Sequence, residues 1–214
     1  MVAEINQGLQ EHKPHVVALQ ETHLQKDSPT PKFPGYSVHR LDRTTAERQG
    51  GVALLVADGV QWSALKGQIV PESLPGVEAA GVRIYPERAR HFDVLSVYNR
   101  PQVCAGFRPS WIGPRAFVCT DLNLHAREWD KHCADSTITK HRVAATRLLG
   151  WIEQGGRRLL NDGRHTRTGT KAGAALLSAP DVTIAPAGYP GARWTELLEW
   201  GSDHKAILSE CKVG

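Results

Sequence analysis

A chain of 214 residues, 41% of them hydrophobic, is long enough to bury one sizeable core and too short for several, so residues 1–214 read as one domain. No run of eighteen apolar residues occurs, and the opening Met1-Val2-Ala3-Glu4-Ile5-Asn6 lacks the basic and apolar regions of a secretion signal. These features argue against a secreted or membrane-spanning chain, while a net charge of +4 mildly favours a polyanionic partner.

In chain order, Val2, Ile5 and Leu9 share one helical face, and Lys13-Pro14 ends that helix before the apolar run Val16-Val17-Ala18-Leu19, a buried strand. Strands are expected over Gly51 to Ala57, Val77 to Tyr85, Phe92 to Tyr98 and Ala116 to Thr120, divided by Pro, Gly and charged stretches. From Arg142 to Glu153 the residues Ala144, Ala145, Leu148, Leu149 and Ile152 recur at three and four residues. Gly155-Gly156 stops the pattern, so this is a helix. Short strands follow at Arg158 to Asn161, Asp181 to Ala185 and Ala206 to Cys211, with a basic, glycine-containing loop from Arg164 to Lys171 between the first two. Strands and helices interleaved without a strict βαβ rhythm suggest an α/β fold of two packed sheets flanked by helices. The cysteines Cys104, Cys119, Cys133 and Cys211 form no C-x-x-C pair and read as free thiols of a reducing compartment.

Four polar spots stand at expected strand ends, where a rigid sheet presents side chains to a common cleft: Glu21, Asp121 with Asn123, Asp181, and Asp203 with His204. A carboxylate at the mouth of a strand suits a hard cation. Asp121 and Asn123, two apart, face one way from an extended backbone and could orient a water. His204 offers an imidazole whose charge changes near neutral pH, with Asp181 able to orient it. Taken singly, each also fits an ordinary role: Glu21 as a solvated strand cap, Asp121 as a turn former, His204 as a structural imidazole.

Together the segments Val16 to Thr22, Ser96-Val97-Tyr98 with Asn99-Arg100-Pro101, Thr120-Asp121-Leu122-Asn123 with His125 and Trp129, Leu160-Asn161-Asp162-Gly163, Ser178 to Thr183 and Trp200-Gly201-Ser202-Asp203-His204 keep the order of a known family. The chain resembles the endonuclease/exonuclease/phosphatase (DNase I-like) superfamily, and within it the DNA-nicking endonuclease domain of a non-long-terminal-repeat retrotransposon. The match runs from Ile5 to Cys211. The resemblance implies a four-layer α/β sandwich with a phosphodiesterase cleft dependent on Mg²⁺, or on Mn²⁺ in its place. It makes Glu21 a metal ligand assisted by Asp203, Asp121 the residue that aligns or deprotonates water, and Asn123 the holder of that water or the phosphate. Asp181 orients His204, which stabilises charge on the phosphate, and Tyr98 hydrogen-bonds the phosphate. DNA is the implied partner, with reverse transcriptase fused or associated in an intact element, and the expected location is intracellular and nuclear. Arg164, Arg167 and Lys171 are the candidate contacts to the DNA backbone.

Three departures accompany the resemblance. The family's opening strand, with its W-N-x-N-G motif, has no counterpart ahead of the first helix, and Asn6 lies within that helix, so a truncated copy lacking one central strand and a polar metal-side contact is expected. Thr120 stands where the motif carries glycine, and two prolines and two glycines occupy Gln102 to Arg115 where a helix is usual. Beside the nuclease reading stand a phosphatase of the same superfamily and a catalytically impaired domain that only binds nucleic acid.

Overall fold

The computed structural model describes residues 2–42, 50–66, 69–171, 174–189, 191–199 and 201–212. Helix α1 (Val2–His12) leads into β1 (Val16–Gln20), followed by β2 (Tyr36–Leu41), β3 (Val52–Ala57), β4 (Trp62–Ala64), β5 (Val77–Ile84), β6 (Phe92–Asn99) and β7 (Ala116–Asp121). Helix α2 (Asp135–Gln154) precedes β8 (Arg158–Leu159), β9 (Arg167–Lys171), β10 (Ala174–Ser178), β11 (Asp181–Ala185), β12 (Arg193–Glu199) and β13 (Lys205–Glu210).

A six-stranded sheet in the order β4-β5-β6-β7-β11-β8 forms the centre, antiparallel except for the parallel pair β6 and β7. Both of its faces are covered. On one, Leu95, Val97, Val118, Val182 and Ile184 pack against Ala144, Ala145, Leu148 and Ile152 of α2. On the other, Val82, Val94, Tyr98 and Phe117 meet Val52, Leu54 and Val56 of β3. The alternate residue Leu55 turns outward to Ile5 and Leu9 of α1, because successive side chains of a strand face opposite ways. Helix, sheet, sheet and helix are thus stacked in four layers, the sandwich expected from the resemblance. Leu148 is fully buried, and its replacement by Ala should cost about 2–5 kcal/mol.

The second layer consists of the antiparallel sheet β1-β3-β2 and the separate pair β12-β13. Val16 and Ala18 of β1 and Ile207 of β13 pack on the same core, yet among the described residues no ladder joins β1 to β13. Every residue of β1 stays only partly buried despite its apolar sequence.

Several elements differ from expectation. α2 begins at Asp135, well before the expected Arg142; its first turns give no sequence signal because Thr137, Ile138 and Thr139 are weak helix formers that carry no apolar repeat. Gly155 caps its end and Gly156 takes φ +59°. The basic stretch expected as a loop contains strand β9, paired with β10 in a hairpin from Arg167 to Ser178 and joined to His204 by an isolated bridge. Pairing with the adjacent β10, and one bridge to His204, make this strand, whose own Arg-Thr-Gly-Thr-Lys sequence has no apolar alternation. Residues 102–115 hold two single 3₁₀ turns, Cys104–Gly106 and Pro109–Trp111, where proline and glycine forbid a longer helix. The cysteines are free. Among the described residues no helix is long and apolar enough to cross a membrane.

Candidate active site

Strand register builds the site. Tyr98 of β6 stands opposite Asp121 of β7, and Asp121 stands opposite Asp181 of β11, so three functional side chains line up across three neighbouring strands. Residues in register share a sheet face. His204, just before β13, brings its Nδ1 to 3.0 and 2.9 Å from the two carboxylate oxygens of Asp181. One ligand atom each from Asp121, Asp181 and His204 lie within 4.8 Å of one another.

Glu21 enters from the other sheet. It follows β1 with φ +50°, and the Tyr98 hydroxyl donates a 2.7 Å hydrogen bond to its Oε1. Two devices hold it there. The N–H groups of Thr22 and His23 donate to the carbonyls of Gly51 and Gly50, glycines whose φ of +85° and +100° side chains rarely adopt. The Gln20 amide spans the sheets to Ser96 Oγ at 2.9 Å and the Cys119 carbonyl at 3.1 Å, while Ser96 Oγ donates back to the Leu19 carbonyl. Asn123 also sits at positive φ, +48°; its backbone N–H donates to Asp121 Oδ1 and its side-chain amide to the Asn99 carbonyl. Only four non-glycine residues in the described chain have positive φ, and two of them are Glu21 and Asn123. Such strain gathers where function fixes a side chain.

The charges are unbalanced in a useful way. Burial, then the neighbouring carboxylates of Asp181 and Glu21, push the Asp121 pKa up to about 7 against the opposing pull of His204. Burial of His204 disfavours its imidazolium, but the hydrogen bond and charge of Asp181, with Asp121 and Asp203, outweigh it and raise the pKa to about 9. Three carboxylates meeting with one imidazolium form an oxygen-rich, electron-rich pocket that fits a hard divalent cation.

Glu21, Tyr98, Asp121, Asn123, Asp181 and His204 come together through the contacts above. Asp203 is half exposed and paired with Arg167, with Nε to Oδ2 at 2.8 Å. The Tyr98 hydroxyl, expected on the phosphate, rests on Glu21. Arg164 pairs with Asp162 at 2.6 Å and Glu196 at 3.6 Å and lies over the Trp194 ring, so it is engaged within the protein. Lys171 closes β9, and its side chain lies outside the described residues.

Sequence reasoning missed the second rank of the site. The buried Thr166 hydroxyl donates to Asp181 Oδ2 at 2.5 Å, and the Asn161 amide donates to the Asp181 carbonyl while its oxygen accepts from Thr183 N–H. Asn161 was reachable through the segment Leu160 to Gly163, but Thr166 carried no signal, since a lone threonine beside arginines resembles any loop.

Compared with known proteins, residues 92–208, more than half the chain, match the sequence profile of a family described as endonuclease-reverse transcriptase. No curated protein matches the sequence. Among solved structures, the endonuclease domain of TRAS1, a telomere-specific non-LTR retrotransposon, superposes with a TM-score of 0.72 at 18% identity, covering 99% of this chain and 92% of that one. An AP endonuclease from Leishmania major gives 0.71 at 12% identity over 96% and 80%, and one from Archaeoglobus fulgidus 0.60 at 16% over 99% and 94%. These likenesses carry the fold.

Proposed function

The chain belongs to the endonuclease-reverse transcriptase family of hydrolytic nucleases, and from that premise we propose that it hydrolyses one strand of duplex DNA in a divalent-metal-dependent reaction that leaves a 3′-hydroxyl. One observation carries the proposal: the His204–Asp181 pair is set directly across from Asp121, with the Glu21 carboxylate held by Tyr98 nearby.

In this reading Asp121 and Asn123 align a water against the phosphorus, and the Asp121 carboxylate takes the water's proton as the P–O3′ bond breaks and the leaving 3′-oxygen takes a proton from solvent water. His204, kept charged by Asp181, donates its Nε2–H to a phosphate oxygen whose charge grows in the transition state. Glu21, with Asp121 beside it, would hold Mg²⁺ or Mn²⁺, which would supply Lewis-acid stabilisation of that charge. A groove of about 410 Å³ between the β9–β10 hairpin and Asp203 is lined by Arg167, which it offers to the DNA backbone. The 3′-hydroxyl would prime reverse transcription in an intact element, placing the reaction in the nucleus.

A supercoiled plasmid incubated with Mg²⁺, with Mn²⁺ and with EDTA tests this. Relaxed circles in the first two and none in EDTA are expected, with no phosphate release from inositol phosphates. A second reading, binding without cleavage, is favoured by the unjoined edges of β1 and β13. A gel shift without nicking would mark it.

A further inference from the structure

We propose that Asp130 is a positioning residue that fixes the Asn123 loop against the chain carrying Asp181, acting through His125 and Ala179. The inference rests on the hydrolytic reading above and names a residue outside that site.

Asp130 is wholly buried and accepts four hydrogen bonds. Oδ2 receives His125 Nδ1–H at 2.6 Å and the Ala179 N–H at 2.9 Å, and Oδ1 receives the N–H groups of His132 and Cys133 at 3.3 and 3.1 Å. Three segments therefore end on one carboxylate. His125 lies two residues past Asn123, His132 and Cys133 precede α2, and Ala179 lies two before Asp181. The ladder between β7 and β11 extends no further than Leu122 N–H to the Pro180 carbonyl. Beyond that bond, Asp130 is the next link between the two chains among the described residues.

The loop is tethered on its far side as well. The His125 N–H donates to His141 Nδ1 at 3.2 Å, which fixes the His141 tautomer, so its Nε2–H points to Cys104 Sγ at 3.3 Å and the thiol proton goes on to the Pro101 carbonyl. The Trp129 indole N–H holds the Leu124 carbonyl, and Leu122 and Leu124 are fully buried. Asn123 thus projects at φ +48° from a loop whose neighbours are all anchored. A strained residue keeps its geometry only while its surroundings over-determine it.

His125, Asp130 and Cys133 also offer ligand atoms within 4.8 Å of each other. A cation there would have to displace donors already occupying both Asp130 oxygens, and the His125 Nδ1 proton with them. The geometry therefore points to positioning rather than ligation.

Steady-state nicking by Asp130→Asn, His125→Ala and His125→Gln decides the matter, with rates taken per folded molecule. Asp130→Asn presents one acceptor where four donors converge. It should lower kcat by about ten- to a hundredfold while KM for DNA stays unchanged, the signature of a displaced group rather than a lost contact. His125→Ala, which leaves the backbone bonds to Asp130 in place, covers the case in which Asp130→Asn does not fold. It should lower kcat in the same way, and His125→Gln, keeping an N–H for Asp130, should recover part of the loss. Unchanged kcat in folded Asp130→Asn and His125→Ala would overturn the proposal. If the wild-type protein does not nick, that counts against the hydrolytic reading alone, and the proposal is then decided by NMR of the same variants without DNA. The Asn123 side-chain amide and His204 imidazole signals should shift relative to wild type, and signals that stay in place would overturn it.

Discussion

Asp121 and Asp181 are direct cross-strand partners, two buried carboxylates side by side that His204 balances from one side and Arg167 from further off. Burial first, and then the like charge of Asp181, raise the Asp121 pKa, while the surrounding carboxylates raise that of His204 against its burial. The signs predict a stability profile for metal-free protein. Asp121 rises from 3.8 to about 7, so the native state holds the extra proton and stability falls as pH climbs through that window. His204 rises from 6.5 to about 9, so its contribution is complete below 6.5 and is lost as pH climbs through 9. Charged groups facing it are Asp181, Asp121, Asp203 and Arg167. Melting in EDTA should therefore drop steadily from pH 6 to about 9.5, with the alkaline part of the drop absent in His204→Gln. A melting temperature that rises over this range contradicts the assignment.

Tyr98→Phe removes one hydroxyl and nothing else from the core. Its effect should appear on the metal, because Glu21 loses the donor that fixes its carboxylate. The Mg²⁺ concentration for half-maximal nicking should rise about 10- to 100-fold, the usual cost of losing an outer partner of a ligand, with little change in KM for DNA. If KM for DNA rises instead and the metal requirement stays fixed, the hydroxyl serves the phosphate, as the sequence resemblance implied.

Arg167 reaches the cleft from β9 and is held by Asp203, whereas Arg164 is spent on Asp162, Glu196 and Trp194. Filter binding across salt concentrations should show Arg167→Ala flattening the log–log salt slope by roughly one unit, and Arg164→Ala with Arg167→Ala by roughly two if both touch phosphate. An unchanged affinity and slope in the double variant removes the hairpin from the DNA interface.

The strongly patterned parts of this fold could be read directly. Val52 to Val56 and Val94 to Val97 are strands because apolar β-branched runs admit little else, and Leu148 and Ile152 mark α2 by their spacing. The site residues were reachable because sheets end where their motifs begin, so Glu21, Asp121 and Asp181 had to fall on rims. Strands β2, β4, β9, β10 and β12 were not found, since they are short or lie half exposed and carry weak apolar alternation, so that pairing with the neighbouring strand, not their own pattern, defines them. The links that hold the site, Gln20 to Ser96 and Thr166 to Asp181, span 76 and 15 residues and leave no local trace.

The outer edges of β1 and β13 predict a gain from one more strand. Both lie over the same core, with no ladder joining them among the described residues, and Val16, Ala18 and Ile207 are only partly buried. A strand added in cis ahead of α1 and able to pair with both should cover these groups, raise the melting temperature and increase the nicking rate. Equal melting and equal rates in the two proteins would show the edges to be self-sufficient.

The most direct measurement is plasmid nicking in Mg²⁺ followed by polymerase extension from the nick, for wild type, Asp121→Asn and His204→Ala. The wild type should convert supercoiled plasmid to relaxed circles whose ends extend without prior phosphatase treatment, as a 3′-hydroxyl requires. His204→Ala should lose about 100- to 1000-fold in kcat, and Asp121→Asn at least as much. Nicks that extend only after phosphatase, or equal nicking by all three proteins, would contradict hydrolysis by this cleft.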